Sequence, residues 1–312
     1  AIHVRGDEAD INALSDLSFV SSIDFADNSL NSESRVDQNF NKHNNEETLV
    51  NFNYGTTTNQ VEMIGVDDLH FADYTGTGII IAVLDSGFPN VNTMEAFQRL
   101  RDNGNLLNGY DFVNRTSDVY AYTANSHGTR VLSTMAAFVQ DDYVGTAPDA
   151  SYYLFRTEDA ATENPVEESY WVEAAERADS LGVHIINSSL GYTTYDNPNY
   201  SYTPEDINGE TAFITRGANI ANEKGILVVT SAGNSGNGSW QIVGAPADAA
   251  GVLSIGAVNA DGLYASFSSR GNATQPTQKP DVVARGASAV VVTEANTIVG
   301  NSGTSFSSPI MA

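Results

Sequence analysis

Four residues of this chain have types that could act together on a carbonyl group. Asp85 stands in "IAVLDSGF", His127 in "NSHGTRVLSTMAA", Asn234 in "VVTSAGNSG" and Ser305 in "SGTSFSSP". A serine hydroxyl is a weak nucleophile until a base takes its proton. A neutral imidazole can be that base, and a buried carboxylate can fix its tautomer and stabilise the imidazolium. The oxyanion produced by attack needs preorganised donors. A serine that opens a helix offers its own unpaired backbone N–H, and the side-chain amide of Asn234 could supply a second donor.

Taken singly, each residue has a plainer explanation. An Asp after a strand commonly forms a turn or caps a helix, and Ser at a helix start is commonly an N-cap. A His at a helix start is more often structural, and "GN" after a strand reads as a turn. The four gain weight only as a set. The other histidines, His3, His43, His70 and His184, have no comparable context.

The elements that must hold such a set in place can be read from the pattern. "GIIIAVL" (Gly78 to Leu84), "ASYYLFRT", "VHIINSSLG", "ILVVTSAG" and "GVLSIGAV" are short apolar runs suited to buried strands. Between them, "GTRVLSTMAAFV" has helical spacing, "VEESYWVEAAERADSLG" reads as an amphipathic helix closed by Gly182, and "TAFITRGANIANEKG" as a helix closed by Gly225. Strands alternating with helices predict an α/β fold of three layers, a mostly parallel central sheet flanked by helices. In such sheets chemistry gathers at the carboxyl ends of the strands. "YTTYDNPNYSYTPEDINGE" reads as a long surface loop. Nearer the start, "EADINALSDL" suggests a short helix and "SFVSSIDFA" a strand. Residues from about 28 to 54 are polar and read as an exposed linker.

Composition narrows the function classes. The balance of 39 acidic against 14 basic residues gives a formal charge of −25, which argues against nucleic acid and anionic membrane as partners. The chain has no cysteine, so disulfides, thiolate metal sites and thiol nucleophiles are excluded. No apolar run approaches the roughly 20 residues of a membrane helix. The opening "AIHVRGDEAD" has neither an initiator Met nor a signal segment, and the closing "FSSPIMA" starts like a helix and stops. Both ends read as cuts.

Six segments in order, "VLDSGF", "SHGT", "INSSLG", "VVTSAGNSG", "ASFSSRG" and "SGTSFSSP", resemble the subtilisin-like serine peptidases, or subtilases, over about three quarters of the chain. The flavour of "KPDVVARG" and "GTSFSSP" is similar to secreted members of Bacteroidetes-type bacteria. The resemblance implies that Asp85 orients, His127 acts as base and then acid, Ser305 is the nucleophile and Asn234 the oxyanion donor. It implies that Ser189, Leu190 and Gly191 pair with substrate backbone, and that Ala232 and Gly233 line the other wall of the primary specificity pocket. Small residues there suit a large apolar side chain and broad endopeptidase action, and no acidic residue can be placed in that pocket. Arg285 stands where the family commonly has proline.

The resemblance further implies a domain plan: residues 1–27 as the end of an inhibitory propeptide, 28–54 as a linker holding the processing site, and 55–312 as a peptidase domain incomplete at its C-terminus. The expected partners are protein or peptide substrates and the chain's own propeptide, outside the cell. No cofactor is required; calcium, frequent in the family, cannot be placed on any loop with regular carboxylate spacing. The alternative is a catalytically silent peptide-binding or scaffold domain on the same fold. A non-catalytic acidic adhesion module would leave the six segments unexplained.

Overall fold

The computed structural model describes residues 7–17, 20 and 52–312. The chain divides into two units, residues 1–48 and 49–312. In the first, Glu8–Ala13 forms a short α-helix that runs into a 3-10 turn at Leu14–Asp16, where the sequence predicts a helix. The predicted strand "SFVSSIDFA" and most of the linker lie outside the described residues.

The second unit is built on β1 (Ile80–Asp85), β2 (Leu106–Asp111), β3 (Phe138–Val139), β4 (Tyr143–Val144), β5 (Ser151–Arg156), β6 (Ile185–Ser188), β7 (Leu227–Ser231), β8 (Leu253–Val258), β9 (Val282–Arg285), β10 (Ala289–Val292) and β11 (Ile298–Asn301). Seven of these form one parallel sheet in the order β2-β5-β1-β6-β7-β8-β9, while β3-β4 and β10-β11 are small antiparallel pairs. This is the predicted three-layer fold. Alternate residues of β1 feed opposite faces of the sheet. Ile81 and Val83 join a core shared with the His127–Ala136 helix and with Phe306 and Ile310 of the Thr304–Met311 helix. Ala82 and Leu84 join a second core shared with the Val166–Ser180 and Phe213–Glu223 helices. Period-two alternation with both faces apolar is what a fully covered parallel strand requires.

Both predicted glycine stops are used. Gly182 and Gly225 take φ of +71° and +95°, and the residues after them, Val183 and Ile226, donate back to the Ala178 and Ala221 carbonyls at 3.1 Å. That is the left-handed closure in which glycine pays no Cβ penalty. One predicted helix is shorter than its pattern: it ends at Ala136, and Phe138–Val139 pairs as β3 with β4. The strands β2, β9 and β11 carry Gly, Asn or exposed valines and give no clear strand pattern, and β10 is a run of only four residues.

The long Tyr/Asn/Pro stretch is not simply a surface loop. Tyr192, Tyr195 and Ile207 are buried. The Tyr192 hydroxyl donates to Glu158, and those of Tyr195 and Tyr202 donate to Glu168, which also accepts the Ile214 N–H at 2.7 Å. Polar composition predicted exposure. Phenol rings, however, bury an apolar body once a partner takes the hydroxyl, and Glu167 and Glu168 lie on the inward face of the Val166–Ser180 helix. Among the described residues, no helix is long and apolar enough to cross a membrane.

Candidate active site

The sheet order changes direction beside β1. From there the chain adds β5 and β2 on one side and β6 to β9 on the other. Crevices open at such a point, outside the carboxyl ends of the strands. Asp85 is the last residue of β1, and Ser189–Gly191 leaves the end of its neighbour β6. Ala232 and Gly233 leave the end of β7, which pairs with β6. The fold therefore delivers these residues to one rim.

Asp85 is fully buried, and its Oδ1 accepts three hydrogen bonds: from the Ser86 N–H at 2.7 Å, the Ser86 hydroxyl at 3.2 Å and His127 Nδ1 at 2.8 Å. Asn125 Oδ1 in turn accepts the Ser86 hydroxyl and the His127 N–H, both at 2.9 Å. His127 is the first residue of its helix, and its side chain keeps 31% exposure. Burial alone would depress the imidazole pKa. The charge and hydrogen bond of Asp85 outweigh it and hold His127 above the ordinary value. With Nδ1 committed to a carboxylate, Nε2 is the nitrogen available for proton transfer. A depression beside it is lined by Ala124, Asn125, Ser126, His127, Arg130 and Asn301.

Ser305 is the second residue of the Thr304–Met311 helix, so Gly303, not Ser305, is the cap. No acceptor takes its backbone N–H among the described residues, as expected in a first helical turn. Pro309 stands four residues further on and has no N–H, which leaves the Ser305 carbonyl without its helical partner. Ser189 fills that gap: its hydroxyl donates to the Ser305 carbonyl at 2.9 Å, and the Ser305 hydroxyl donates to the Ser189 carbonyl at 3.3 Å. Ser308 adds a buried bond to Asn187 Oδ1 at 3.1 Å. The serine helix is thus pinned to the end of β6. Phe306 sets it beside the base, its ring centroid 5.8 Å from that of His127.

Asn234 Oδ1 accepts both the Thr304 N–H, at 2.8 Å, and the Thr304 hydroxyl, at 3.0 Å. Two donors on one oxygen fix which end of the carboxamide is which. The Nδ2 donor is left without a protein partner among the described residues. Thr304 also accepts the Gly233 N–H at 3.1 Å, so one threonine ties the β7 exit to the start of the serine helix. Opposite, Tyr192 pairs antiparallel with Ala245. Among the described residues, the backbone groups of Leu190 and Gly191 make no hydrogen bond to other backbone, and Leu190 is partly exposed and Gly191 exposed. That is a short edge open to an extended peptide.

All nine residues singled out in the sequence therefore meet at this rim. Those the sequence reading passed over are the ones that hold them: Ser86, Asn125 and Thr304. Each adjoins or nearly adjoins a predicted residue, and each is a hydroxyl or carboxamide beside a reactive group; that proximity was the available signal. His70 and His184 serve elsewhere. His70 sits between the Tyr54 hydroxyl and the Thr146 carbonyl, both at 2.9 Å, and His184 Nδ1 accepts the Ile80 N–H at 3.0 Å. His3 and His43 lie outside the described residues. Arg285, at the end of β9, bonds Asn59 Oδ1 at 2.8 Å and the Ser288 carbonyl at 2.9 Å. Glu158, Glu163 and Glu167 come together after β5, their ligand atoms within 4.8 Å of one another.

Comparison with known proteins agrees with this architecture. The chain is 32% identical to subtilisin E of Bacillus subtilis (strain 168) over 254 residues, 81% of this chain and 58% of that protein. It is 31% identical to a subtilisin of Bacillus pumilus over 81% of this chain and 80% of that one. Two solved structures share the fold: MycP1 with its N-terminal propeptide removed (TM-score 0.59, 21% identity, 81% of this chain and 80% of that one) and the S41 psychrophilic protease (TM-score 0.58, 26% identity, 76% and 75%). The matched stretch is thus little more than half the length of some curated relatives. The model of the subtilase family, peptidase S8, matches residues 76–312, and the chain belongs to that family.

Proposed function

We propose that this chain carries the hydrolytic centre of a serine endopeptidase. The observation that carries the reading is the 2.8 Å contact between His127 Nδ1 and the buried Asp85, on the rim that also holds Ser305. In this reading a peptide lies along Ser189–Gly191, with a side chain between that segment and Ala232–Gly233. Ser305 Oγ leaves the Ser189 carbonyl, passes its proton to His127 Nε2 and bonds to the scissile carbonyl carbon. The oxyanion takes donors from Asn234 Nδ2 and the Ser305 N–H. His127 then protonates the leaving amine, the C–N bond breaks, and water hydrolyses the acyl-enzyme by the same relay. Small residues on the pocket wall favour large apolar side chains and broad specificity.

The domain plan belongs to this proposal: residues 1–27 as the end of a propeptide, 28–54 as the linker with the processing site, and 55–312 as peptidase domain. So do the propeptide as partner and action outside the cell, which rest on the resemblance to secreted members of the family. Calcium stays unplaced. The second reading, a silent peptide-binding domain, draws on the Ser305 hydroxyl being bonded to Ser189 rather than to His127.

A fluorophosphonate probe separates the two, because it labels only an activated serine. The chain is treated side by side with its Ser305→Ala and His127→Ala variants. Labelling that disappears in Ser305→Ala and in His127→Ala supports the peptidase. A folded chain that stays unlabelled yet binds peptide refutes it.

A further inference from the structure

One buried cation has no part in the scheme above. Arg156 ends β5, between β2 and β1, in register with Asp111 on one side and Asp85 on the other. Its side chain is 1% exposed. An arginine so placed needs partners: NH1 donates to Asp111 Oδ2 at 3.0 Å, and Nε donates to the Ser86 carbonyl at 3.2 Å. NH2 lies 3.7 Å from Asp159. The guanidinium stacks on Tyr122, with its central carbon 3.5 Å from the ring centroid.

These partners have one thing in common. Asp111 opens the segment that runs to His127, its Oδ1 accepting the Val113 and Asn114 N–H groups at 2.9 and 2.8 Å. Tyr122 lies late in the same segment. Ser86 is the residue whose N–H and hydroxyl bond Asp85 and whose hydroxyl bonds Asn125. Residues 122–125 also press on Gly87, where an added Cβ would fall 2.5 Å from the Asn125 carbonyl oxygen and 3.2 Å from Tyr122 Cδ1. One planar cation therefore grips both the turn behind Asp85 and the two ends of the loop that brings in His127.

We infer that Arg156, with Tyr122 stacked on it, is a positioning residue that sets the spacing of the His127–Asp85 pair. The inference rests on the reading of His127 as the base. Its test is chosen to stand apart from activity. Besides Asp85, the charged groups facing His127 or its carboxylate are Arg130, one turn along its own helix and paired with Glu294 at 3.2 Å, and Glu158 near Asp85. None of these is altered by the variants used.

The His127 imidazole is titrated by NMR in the full chain, in Tyr122→Ala, Tyr122→Phe and Arg156→Met, alongside peptide hydrolysis. Tyr122→Ala leaves the Arg156–Asp111 pair whole, so it tests the idea even if Arg156→Met does not fold. A loosened pair weakens the pull of Asp85, so the His127 titration moves down, by about half a unit to one unit. kcat falls on the order of tenfold with KM within twofold. Tyr122→Phe keeps the ring and restores both. Simple loss of the arginine charge would instead move the titration up. An upward or unmoved titration in folded Tyr122→Ala overturns the inference. If the wild type neither cleaves peptide nor takes the probe but Tyr122→Ala still lowers the titration, the peptidase reading fails while the positioning role stands.

Discussion

The carbonyl of Ser305 gives a quantitative check on how the serine helix is held. Pro309 removes the N–H that would bond it, and the Ser189 hydroxyl replaces that donor at 2.9 Å. Ser305 is only 8% exposed, so its carbonyl has little access to water. In Ser189→Ala the carbonyl loses its partner, and a buried unsatisfied acceptor costs about 1–3 kcal/mol. The same change also removes the 3.3 Å bond from Asn187 Nδ2, which complicates the single variant. A double-mutant cycle removes that complication, because the Asn187 contribution is the same in both backgrounds. In Pro309→Ala the backbone regains an N–H four residues after Ser305, and the ordinary helical bond can form. Ser189→Ala in that background should then cost about 1 kcal/mol less, at minimum, than in the native chain. The assay is urea denaturation of the four proteins at one pH. Additivity within about 0.3–0.5 kcal/mol would mean that Ser189 and Pro309 are independent, and the account of how the serine helix is anchored would be wrong.

Two further outcomes follow from the site. Asn234→Ala removes the side-chain donor together with the Oδ1 acceptor of the Thr304 N–H and hydroxyl, so kcat should fall by about 10²–10³ or more; unchanged kcat on a chromogenic peptide excludes Asn234 from oxyanion binding. Glu163, pushed up to about 7 by burial and by Glu167 and Asp196, holds a proton in the folded chain that the unfolded chain releases near the ordinary carboxylate value. Its contribution to stability is greatest in acid and declines as pH rises toward about 7. Melting temperatures of Glu163→Gln should therefore match the native chain in acid and exceed it above neutrality; equal melting at both ends refutes the assignment.

The pattern of apolar runs is enough to read the layers, and the order of the motifs names the candidate residues of the site. Apolar runs of strand length separated by helical spacing leave few alternatives to a covered parallel sheet. Gly182 and Gly225 marked helix ends because only a residue without Cβ closes them cheaply. Asp85, His127, Asn234 and Ser305 became candidates only as a set, through motifs whose order resembles the subtilases, because each alone reads as a turn, a cap or a structural residue. Tertiary structure decided what depends on contacts far apart in the chain. Whether Phe138–Val139 continues a helix or pairs as β3 is settled by Tyr143–Val144, and whether Tyr192 and Tyr195 face water is settled by Glu158 and Glu168. The partners of Arg156 lie 45 and 70 residues away. Local pattern records a residue's own preference for burial, but the hydrogen bond or ion pair that makes burial of a polar group tolerable comes from elsewhere in the chain.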